Sequence, residues 1–380
     1  MLRSGSWALL PVLLLAPVGV RAAAGPTAAP AVAFLSLQQA RAAIAADAAY
    51  FDELQAMEMS AKTGALIAGR TLEEQRAECR RRYRAGAGQF TEPEQAALRA
   101  LVAKIQPAVH DDYPAFAQTP WSFLKVADRI EGGLPHTRGP HIILSERACR
   151  GLCSPGPRGS PDRSALATLL HEQMHVFQRA HPQRFDSLYT RQWRFLKADS
   201  ITGCPWLVEH HLANPDALDC RWVFPIRQPW GTRYIWPLVV FGDGPGAGAG
   251  QNAEETSRPV LKGMPQDFQM LAIEVEKTDG GFRVRQQSDG RPVAEDLLGV
   301  RPYREVFSPT TNIYHPHEAS ADLFAMLVVW DHFVPKGVIS EQHRKQFDKL
   351  LGPLRTWFRA NLGLSGAKPA GTGQPPAIHY

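Results

Sequence analysis

The amino-acid sequence predicts an α+β fold that is mainly helical. Apolar residues recur at helical spacing in the first and last parts of the chain, whereas strand-like runs are concentrated between residues 201 and 310. The composition, 44% hydrophobic and 21% charged, is that of a globular protein. With 380 residues, the chain can bury a large core in one elaborated domain or in two.

Residues 1–24 have the pattern of a secretory signal peptide. Arg3 supplies a positive charge, Trp7–Val20 is an apolar core, and small residues up to Ala24 provide a cleavage site. The apolar core is short and contains two prolines, so we expect no stable membrane span. The sequence therefore predicts export to the periplasm or the medium, with cleavage near Ala24.

Five cysteines follow the predicted cleavage site. In an oxidising compartment we expect Cys149 to pair with Cys153 and Cys204 with Cys220, leaving Cys79 unpaired, although spacing alone does not fix connectivity. A structural thiolate zinc site is disfavoured because the chain has no CxxC pair.

Residues 25–118 are predicted to form a helical N-terminal region. Its Ala/Pro-rich lead-in, 25–33, is expected to be disordered. Three helical stretches follow, Leu35–Lys62, Thr71–Arg84 and Thr91–Ile105. The last two begin with threonine and acidic residues, which favour helix N-termini.

The net charge of +5 and the pI near 9.0 fit attraction to anionic surfaces. A general preference for arginine throughout the sequence explains the same net charge and pI without a functional reason, and this is the preferred interpretation. One helical stretch carries an arginine run without interleaved aromatic residues, which indicates a solvated helix face. We therefore expect no nucleic-acid partner.

Residues 119–200 combine short strands with a long helix. Trp121–Val126 and His141–Leu144 are strand-like and are separated by glycine-containing turns. A helix is expected over 160–181, because a Ser-Pro-Asp sequence begins it and a proline ends it. A further helical stretch is expected at Arg184–Ala198.

Residues 201–310 form a strand-rich insertion. Tyr234–Phe241 is strand-like, and Leu271–Val275 with Phe282–Gln286 has the pattern of a hairpin. The glycine-rich loop Gly242–Pro259 lacks the GK[ST] ending of a phosphate-binding loop, and no helix opens directly from it. A nucleotide site there is therefore disfavoured.

Residues 311–362 are predicted to be helical. Pro316–Phe333 is the second important helix, and Ser340–Asn361 is an amphipathic helix at the C-terminal end. Residues 363–380 form a low-complexity tail that is expected to be disordered.

The residues most informative about chemistry are His171, Glu172 and His175, an HExxH arrangement in the 160–181 helix. Histidines four residues apart project from one side of a helix, so both imidazoles can bind one metal ion. Glu172 lies about 100° round the helix, close enough to reach a water near that ion. The rest of the helix is largely apolar, and a buried charge there needs a partner such as a metal ion.

A catalytic zinc site needs a third protein ligand. His181 completes an HExxHxxGxxH spacing. However, Gln178 replaces the glycine that would turn the chain, and a continuous helix would carry His181 about 9 Å beyond His175. Glu318, in the second apolar helix, is the preferred candidate. The histidine pair at 210–211 lacks helical spacing from the motif and is expected to face solvent.

Glu318 is one helical turn from a second carboxylate, Asp322, in an otherwise apolar helix. Two adjacent carboxylates in a buried helix repel each other unless each has a partner. A zinc ion on Glu318, and the free ring N–H of a ligand histidine on Asp322, would satisfy both groups. An acidic first turn that complements the helix dipole explains only Glu318.

An HExxH helix followed by ExxxD on a second helix resembles the gluzincin class of zinc metallopeptidases. The sequences LLHEQMHVFQR and HPHEASADLFAML are also similar to poorly characterised exported bacterial proteins of this type. The resemblance covers Pro135–Phe195 and Tyr314–Trp330. It implies a zincin-like catalytic core at 119–200, with the insertion at 201–310 lying between the two metal-binding helices. That separation is longer than in the better-known gluzincins.

The resemblance also implies a role for each motif residue. His171, His175 and Glu318 would bind one Zn²⁺ per chain, Glu172 would be the general base, and Asp322 would support a ligand histidine. The expected function is that of a secreted or periplasmic zinc metallopeptidase that acts on a peptide or protein substrate.

Gluzincins place an edge strand before the HExxH helix to align a peptide substrate, and His141–Leu144 is expected to fill that role. His136, Thr137 and Arg138 either line the cleft or belong to a turn. An oxyanion-stabilising donor is also expected. Four residues are eligible for it, and the sequence does not choose among Tyr303, Tyr314, His315 and His317.

Two alternative functions use the same residues. The chain could be a non-catalytic envelope protein that binds a metal or a partner on a zincin scaffold, although an intact Glu172 argues against this. It could also be a zinc hydrolase of a non-peptide amide or ester. Substrate preference, oligomeric state and any inhibitory role of the N-terminal region are not determined by the sequence.

Overall fold

A computed structural model describes residues 31–154, 163–217, 219–241, 268–335, 337 and 339–363. Those residues form both helices and sheets. Four predicted features lie outside the described ranges: the signal peptide, the Ser160–Asp162 helix start, the 242–259 loop and the tail after Gly363.

The N-terminal region begins with a strand, β1 (Val32–Phe34), which overlaps the end of the stretch that the sequence predicts to be disordered. The predicted helical stretch Leu35–Lys62 is confirmed as three short helices. Asp47 begins the second, because its side chain accepts the Tyr50 N–H, and Gln55 begins the third, where its N–H donates to Glu58. The helices of this region are α1 (Leu37–Ala43), α2 (Ala48–Glu53), α3 (Ala56–Thr63), α4 (Leu72–Gly86), α5 (Glu92–His110) and α6 (Pro114–Ala117).

A first sheet packs against these helices. Its strands are β1, β2 (Ala87–Gly88), β3 (Trp121–Val126), β4 (His136–Arg138) and β5 (His141–Ser145). The order is β1-β3-β5-β4, with β1, β3 and β5 parallel, β4 antiparallel to β5, and β2 also on β3.

The prediction that His141–Leu144 is an edge strand is wrong. The chain turns at Gly139, whose positive φ of 53° suits glycine, and β4 folds back along β5. The strand that contains His141–Leu144 is therefore paired on both sides, by β3 and by β4.

Two long helices form the centre of the main core. These are α8 (Arg163–Ala180), which carries HExxH, and α11 (Pro316–Phe333), which carries Glu318. Phe116 links them, because its ring lies 6.0 Å from Phe177 on α8 and 4.7 Å from Phe324 on α11. The flanking helices are α7 (Glu146–Cys153) and α12 (Glu341–Asn361).

The insertion forms a second sheet of seven strands. Its path is β6-β8-β9-β10-β11-β7, and β12 pairs with β10. The strands are β6 (Leu196–Lys197), β7 (Ile201–Thr202), β8 (Trp222–Gln228), β9 (Gly231–Phe241), β10 (Phe268–Thr278), β11 (Gly281–Val284) and β12 (Ala294–Asp296). Two short helices accompany them, α9 (Pro205–His210) and α10 (Arg301–Phe307).

The predicted hairpin is confirmed, because β10 and β11 pair in antiparallel fashion across a glycine turn. The predicted helix Arg184–Ala198 is correct only in its first half. Leu188–Gln192 is a π-helix that follows a short 3-10 turn at Pro182–Arg184, and the strand β6 occupies the second half.

All five cysteines are free thiols, so neither expected disulfide receives support from the structure. Within the described residues, no helix has both the length and the apolar character needed to cross a membrane.

Candidate metal centre

Three side chains from two helices converge at one point. His171 and His175 lie one turn apart on α8, and Glu318 lies in the first turn of α11. Their Nε2 and Oε2 atoms form a triangle with edges of 3.0 Å between the histidines, 3.3 Å from His171 to Glu318, and 3.5 Å from His175 to Glu318. In the part of the chain that the structure describes, this is the one group of His, Cys, Asp and Glu side chains placed to share a metal ion.

The triangle has the dimensions of a zinc site. Zinc binds histidine nitrogen and carboxylate oxygen at about 2.1 Å in tetrahedral geometry, which places neighbouring ligand atoms about 3.4 Å apart. The measured edges of 3.0 to 3.5 Å bracket that value. Two imidazoles and one carboxylate also leave the fourth position open, as in catalytic zinc sites. The residues therefore fit a zinc ion.

Gln178 fixes the orientation of His175. The histidine Nδ1 lies 2.8 Å from Gln178 Oε1, so Nδ1 donates and Nε2 is left to face the triangle. The Gln178 amide donates to Ser320 Oγ at 2.7 Å and to the His317 carbonyl at 3.0 Å, both on α11. One side chain thus orients a ligand histidine and joins the two helices. The sequence pattern indicated only that this residue was not glycine.

Two asparagines outside both helices bind the Glu318 carboxylate. Asn214 Nδ2 donates to Oε1 at 2.7 Å, and Asn312 Nδ2 donates to Oε2 at 2.9 Å. Burial raises the pKa of Glu318, but His175 and His171 together lower it well below its usual range. The carboxylate is therefore charged. Neither asparagine was predicted, because each lies in a turn-like sequence in which asparagine is common.

Asp322 lies one turn after Glu318, on the side of His171. Its Oδ1 is 3.9 Å from His171 Nδ1, which is longer than a hydrogen bond but close enough for charge attraction. Thr310 Oγ1 donates to the other carboxylate oxygen, Oδ2. The threonine therefore supplies the hydrogen bond that holds this carboxylate beside the histidine.

Glu172 is buried beside the triangle. Its Oε2 atom has no hydrogen-bond partner among the described residues. Burial and the negative charge of Asp216 raise the pKa of Glu172 well above its usual value, while His175 acts in the opposite direction. Asp216, which the sequence did not single out, accepts a hydrogen bond from the Thr137 backbone N–H at 2.6 Å. Glu172 is thus a carboxyl group with a strong tendency to take up a proton.

Comparisons with known proteins identify no relative. No protein-family model matches the chain, and no significant match is found among curated proteins or solved structures. The resemblance of the two motifs to gluzincins therefore stays a prediction, and the geometry of the side chains is the basis for a functional proposal.

The four candidate oxyanion donors occupy different positions. Tyr314 contacts a residue that binds the triangle, because its hydroxyl accepts a hydrogen bond from Asn214 Nδ2 at 3.0 Å. His315 caps α11, where its Nδ1 accepts the His317 backbone N–H at 3.1 Å. Tyr303 is fully buried and donates to a backbone carbonyl. Tyr314 is therefore linked to the Glu318 carboxylate through Asn214, whereas His317 lines the cavity described below.

Three other histidines that the sequence analysis considered are not part of the triangle. His181 follows the last residue of α8, with its ring 4.6 Å from the ring of Phe177. His210 stacks on Trp206 at 4.1 Å. His211 is half-buried in a bridge to the second sheet, and burial lowers its pKa to about 4. The expectation that the 210–211 pair faces solvent is wrong.

The strand β4 is buried along its whole length. Thr137 Oγ1 donates to Asp216, and Arg138 forms an ion pair with Glu131 at 2.9 Å. His136 Nδ1 lies 3.0 Å from a backbone carbonyl. Of the three β4 residues, only Arg138 also lines a cavity.

That cavity has a volume of about 590 Å³ and lies beside the metal centre. Gln178 and His317 form one wall, the β4–β5 turn forms another, and Ala43 and Ala46 contribute apolar surface. None of the triangle residues lines it, but Gln178 contacts both the cavity and His175. A space of this size accommodates a substrate side chain or a short peptide segment.

Proposed function

We propose that this chain is an exported zinc-dependent metallopeptidase of the gluzincin type, with a zincin-like core in residues 119–200. The observation that carries the proposal is the triangle of His171, His175 and Glu318 with Glu172 buried beside it. A purely structural zinc site needs four protein ligands and no neighbouring acid. Here three candidate ligands occur together with a buried carboxyl group, one oxygen of which has no hydrogen-bond partner among the described residues.

The residues have distinct roles in this proposal. His171, His175 and Glu318 would hold one zinc ion, which when bound supplies Lewis acidity that acidifies water and polarises a substrate carbonyl. Glu172 would accept the proton of the attacking water and return it to the leaving amine. Its buried position supports this role, because burial raises the pKa of the carboxyl group. Tyr314 would donate to the oxygen that gains negative charge.

The substrate would lie between the β4–β5 turn and α8. The cavity along Gln178 and Arg179 supports this placement, since it has mainly apolar walls and lies next to the ligand His175. The charged start, apolar core and small-residue end of residues 1–24 support export.

The replacement Glu172→Gln tests the assignment. It keeps the shape of the side chain but removes the proton acceptor, so the variant should bind one zinc and should not hydrolyse a mixed peptide digest. Glu209→Gln, at an exposed glutamate on α9, is the matched control and should keep full activity. Zinc content is measured by metal analysis, and cleavage by mass spectrometry.

Three other outcomes of these assays would change the proposal. Hydrolysis retained by the Glu172→Gln variant would remove this residue from the mechanism. A wild-type chain that binds zinc but cleaves no peptide would favour a non-catalytic metal-binding protein. Cleavage restricted to non-peptide amides or esters would keep the mechanism and change the substrate class.

A further inference from the structure

Two buried charged residues of α3 bind the backbone of Ala213 in the insertion. Glu58 Oε2 accepts the Ala213 N–H at 2.9 Å, and Lys62 Nζ donates to the Ala213 carbonyl at 2.7 Å. Glu58 and Lys62 are 2% and 0% exposed, and they lie one turn apart on the helix. A single turn of α3 therefore binds both the backbone N–H and the backbone carbonyl of Ala213.

The charges are compensated inside the protein. Lys62 lies 3.8 Å from Glu58 and 3.2 Å from Glu131, and it also donates to the Tyr50 hydroxyl. Arg138 binds the same Glu131 carboxylate. Buried charges are costly without such partners, and a hydrogen-bonded network of this kind restricts the movement of the groups that it joins. The position of the Ala213 backbone is therefore tightly constrained.

Ala213 immediately precedes Asn214, which binds the metal-ligand candidate Glu318 at 2.7 Å and Tyr314 at 3.0 Å. The oxygen of the same asparagine side chain accepts the Asp216 N–H at 2.9 Å. Fixing the Ala213 backbone therefore fixes the point from which the Asn214 amide reaches Glu318.

We infer that Glu58 and Lys62 are positioning residues for the metal centre and act on Glu318 through Ala213 and Asn214. The N-terminal helical region is then an integral part of the centre rather than a removable inhibitory segment. The inference rests on the metal-binding half of the proposed function, and it does not require hydrolysis.

The test is the zinc affinity of the full-length protein, measured by competition with a chromophoric chelator. Loss of a group that orients a metal ligand typically weakens binding about 10- to 100-fold. We expect Asn214→Ala to fall in that range and Glu58→Ala to weaken binding about 10-fold. In a chain that already carries Asn214→Ala, adding Glu58→Ala should change the affinity less than about twofold, since the connecting side chain is absent.

Tyr83→Phe is the matched control. Tyr83 is buried and donates to Glu131 in the same network, but its hydroxyl makes no hydrogen bond to the Ala213 backbone. Its replacement should lower thermal stability and leave zinc affinity unchanged. If Glu58→Ala does not fold, Glu58→Gln takes its place in the comparison of single and double variants. Glutamine preserves the shape of the side chain but leaves one of the two backbone N–H groups that bind Glu58 without an acceptor.

Two results would overturn the inference. One is a Glu58 variant with wild-type zinc affinity and stability lowered as in Tyr83→Phe, which would make the network structural only. The other is equal effects of Glu58→Ala with and without Asn214, which would show that the effect does not pass through Asn214. Zinc binding with the expected coupling but no hydrolysis would refute the peptidase proposal and support this inference.

Discussion

The charge of Glu131 should account for a measurable part of the stability, and Glu131→Gln is the change that tests this. The carboxylate accepts hydrogen bonds from Tyr50, Tyr83, Lys62 and Arg138. Glutamine has nearly the same shape and takes over the same backbone position, whose φ is +48°. The variant therefore removes the negative charge and keeps the shape of the side chain, while one of its two acceptor oxygens becomes an amide N–H₂ group.

The magnitude follows from the pKa of this group. Burial by itself raises the pKa of Glu131, but Lys62 and Arg138 lower it to about 2 from an ordinary value of 4.5. A gap of about 2.5 pKa units corresponds to about 3 kcal/mol of stability. Because the folded-state pKa is the lower one, this contribution is complete above about pH 4.5 and is lost as the pH falls towards 2.

Urea unfolding followed by tryptophan fluorescence measures the effect. At pH 7 the free energy of unfolding should be about 3 kcal/mol lower for Glu131→Gln than for the wild type, and the difference should fall to less than half of that at pH 3. Glu276→Gln, at a largely exposed ion pair with Arg283, should cost less than about 1 kcal/mol. A Glu131 difference that is the same at both pH values would refute the electrostatic explanation.

Three further results are expected. Glu318→Ala should abolish stoichiometric zinc binding in metal analysis, whereas His181→Ala should retain it; the reverse pattern would indicate a ligand set contained in one helix and its continuation. Gln178→Ala should weaken zinc binding about 10- to 100-fold in chelator competition, because His175 loses the group that orients it. Phe324→Ala should lower the free energy of unfolding by about 3–5 kcal/mol in urea, since its ring is fully buried on α11 against the rings of Phe116 and Phe358; a loss below about 1 kcal/mol would contradict that packing.

Local patterns were sufficient to predict the two helices that carry the candidate ligands. In α8 and α11 the apolar period and the proline at each predicted start indicate the same structure, and in α8 the histidine spacing agrees with it. The choice of Glu318 over His181 also came from helix geometry, because a continuous α8 carries His181 past the site. These inferences depend on contacts within about two helical turns.

The groups that orient the candidate ligands could not be predicted in this way. Asn214 and Asn312 reach Glu318 from separate loops, and nothing in their local sequences distinguishes them from ordinary turn residues. The role of His141–Leu144 was missed for a similar reason. The sequence of a strand does not determine which neighbouring strands it pairs with. Here β4 pairs with the outer side of β5 only because the chain turns at Gly139.

The sequence distance between the two halves of the metal centre has a consequence for folding. About 140 residues separate His175 from Glu318, and Glu58 lies about 260 residues before Glu318. Contacts between such distant segments form late, because closing long loops costs entropy before any contact repays it. The centre is therefore incomplete in any chain that ends before α11 or whose insertion has not folded. In the proposed function, zinc retained through a desalting column would consequently identify the molecules in which α8, α11 and the Asn214 segment of the insertion have come together.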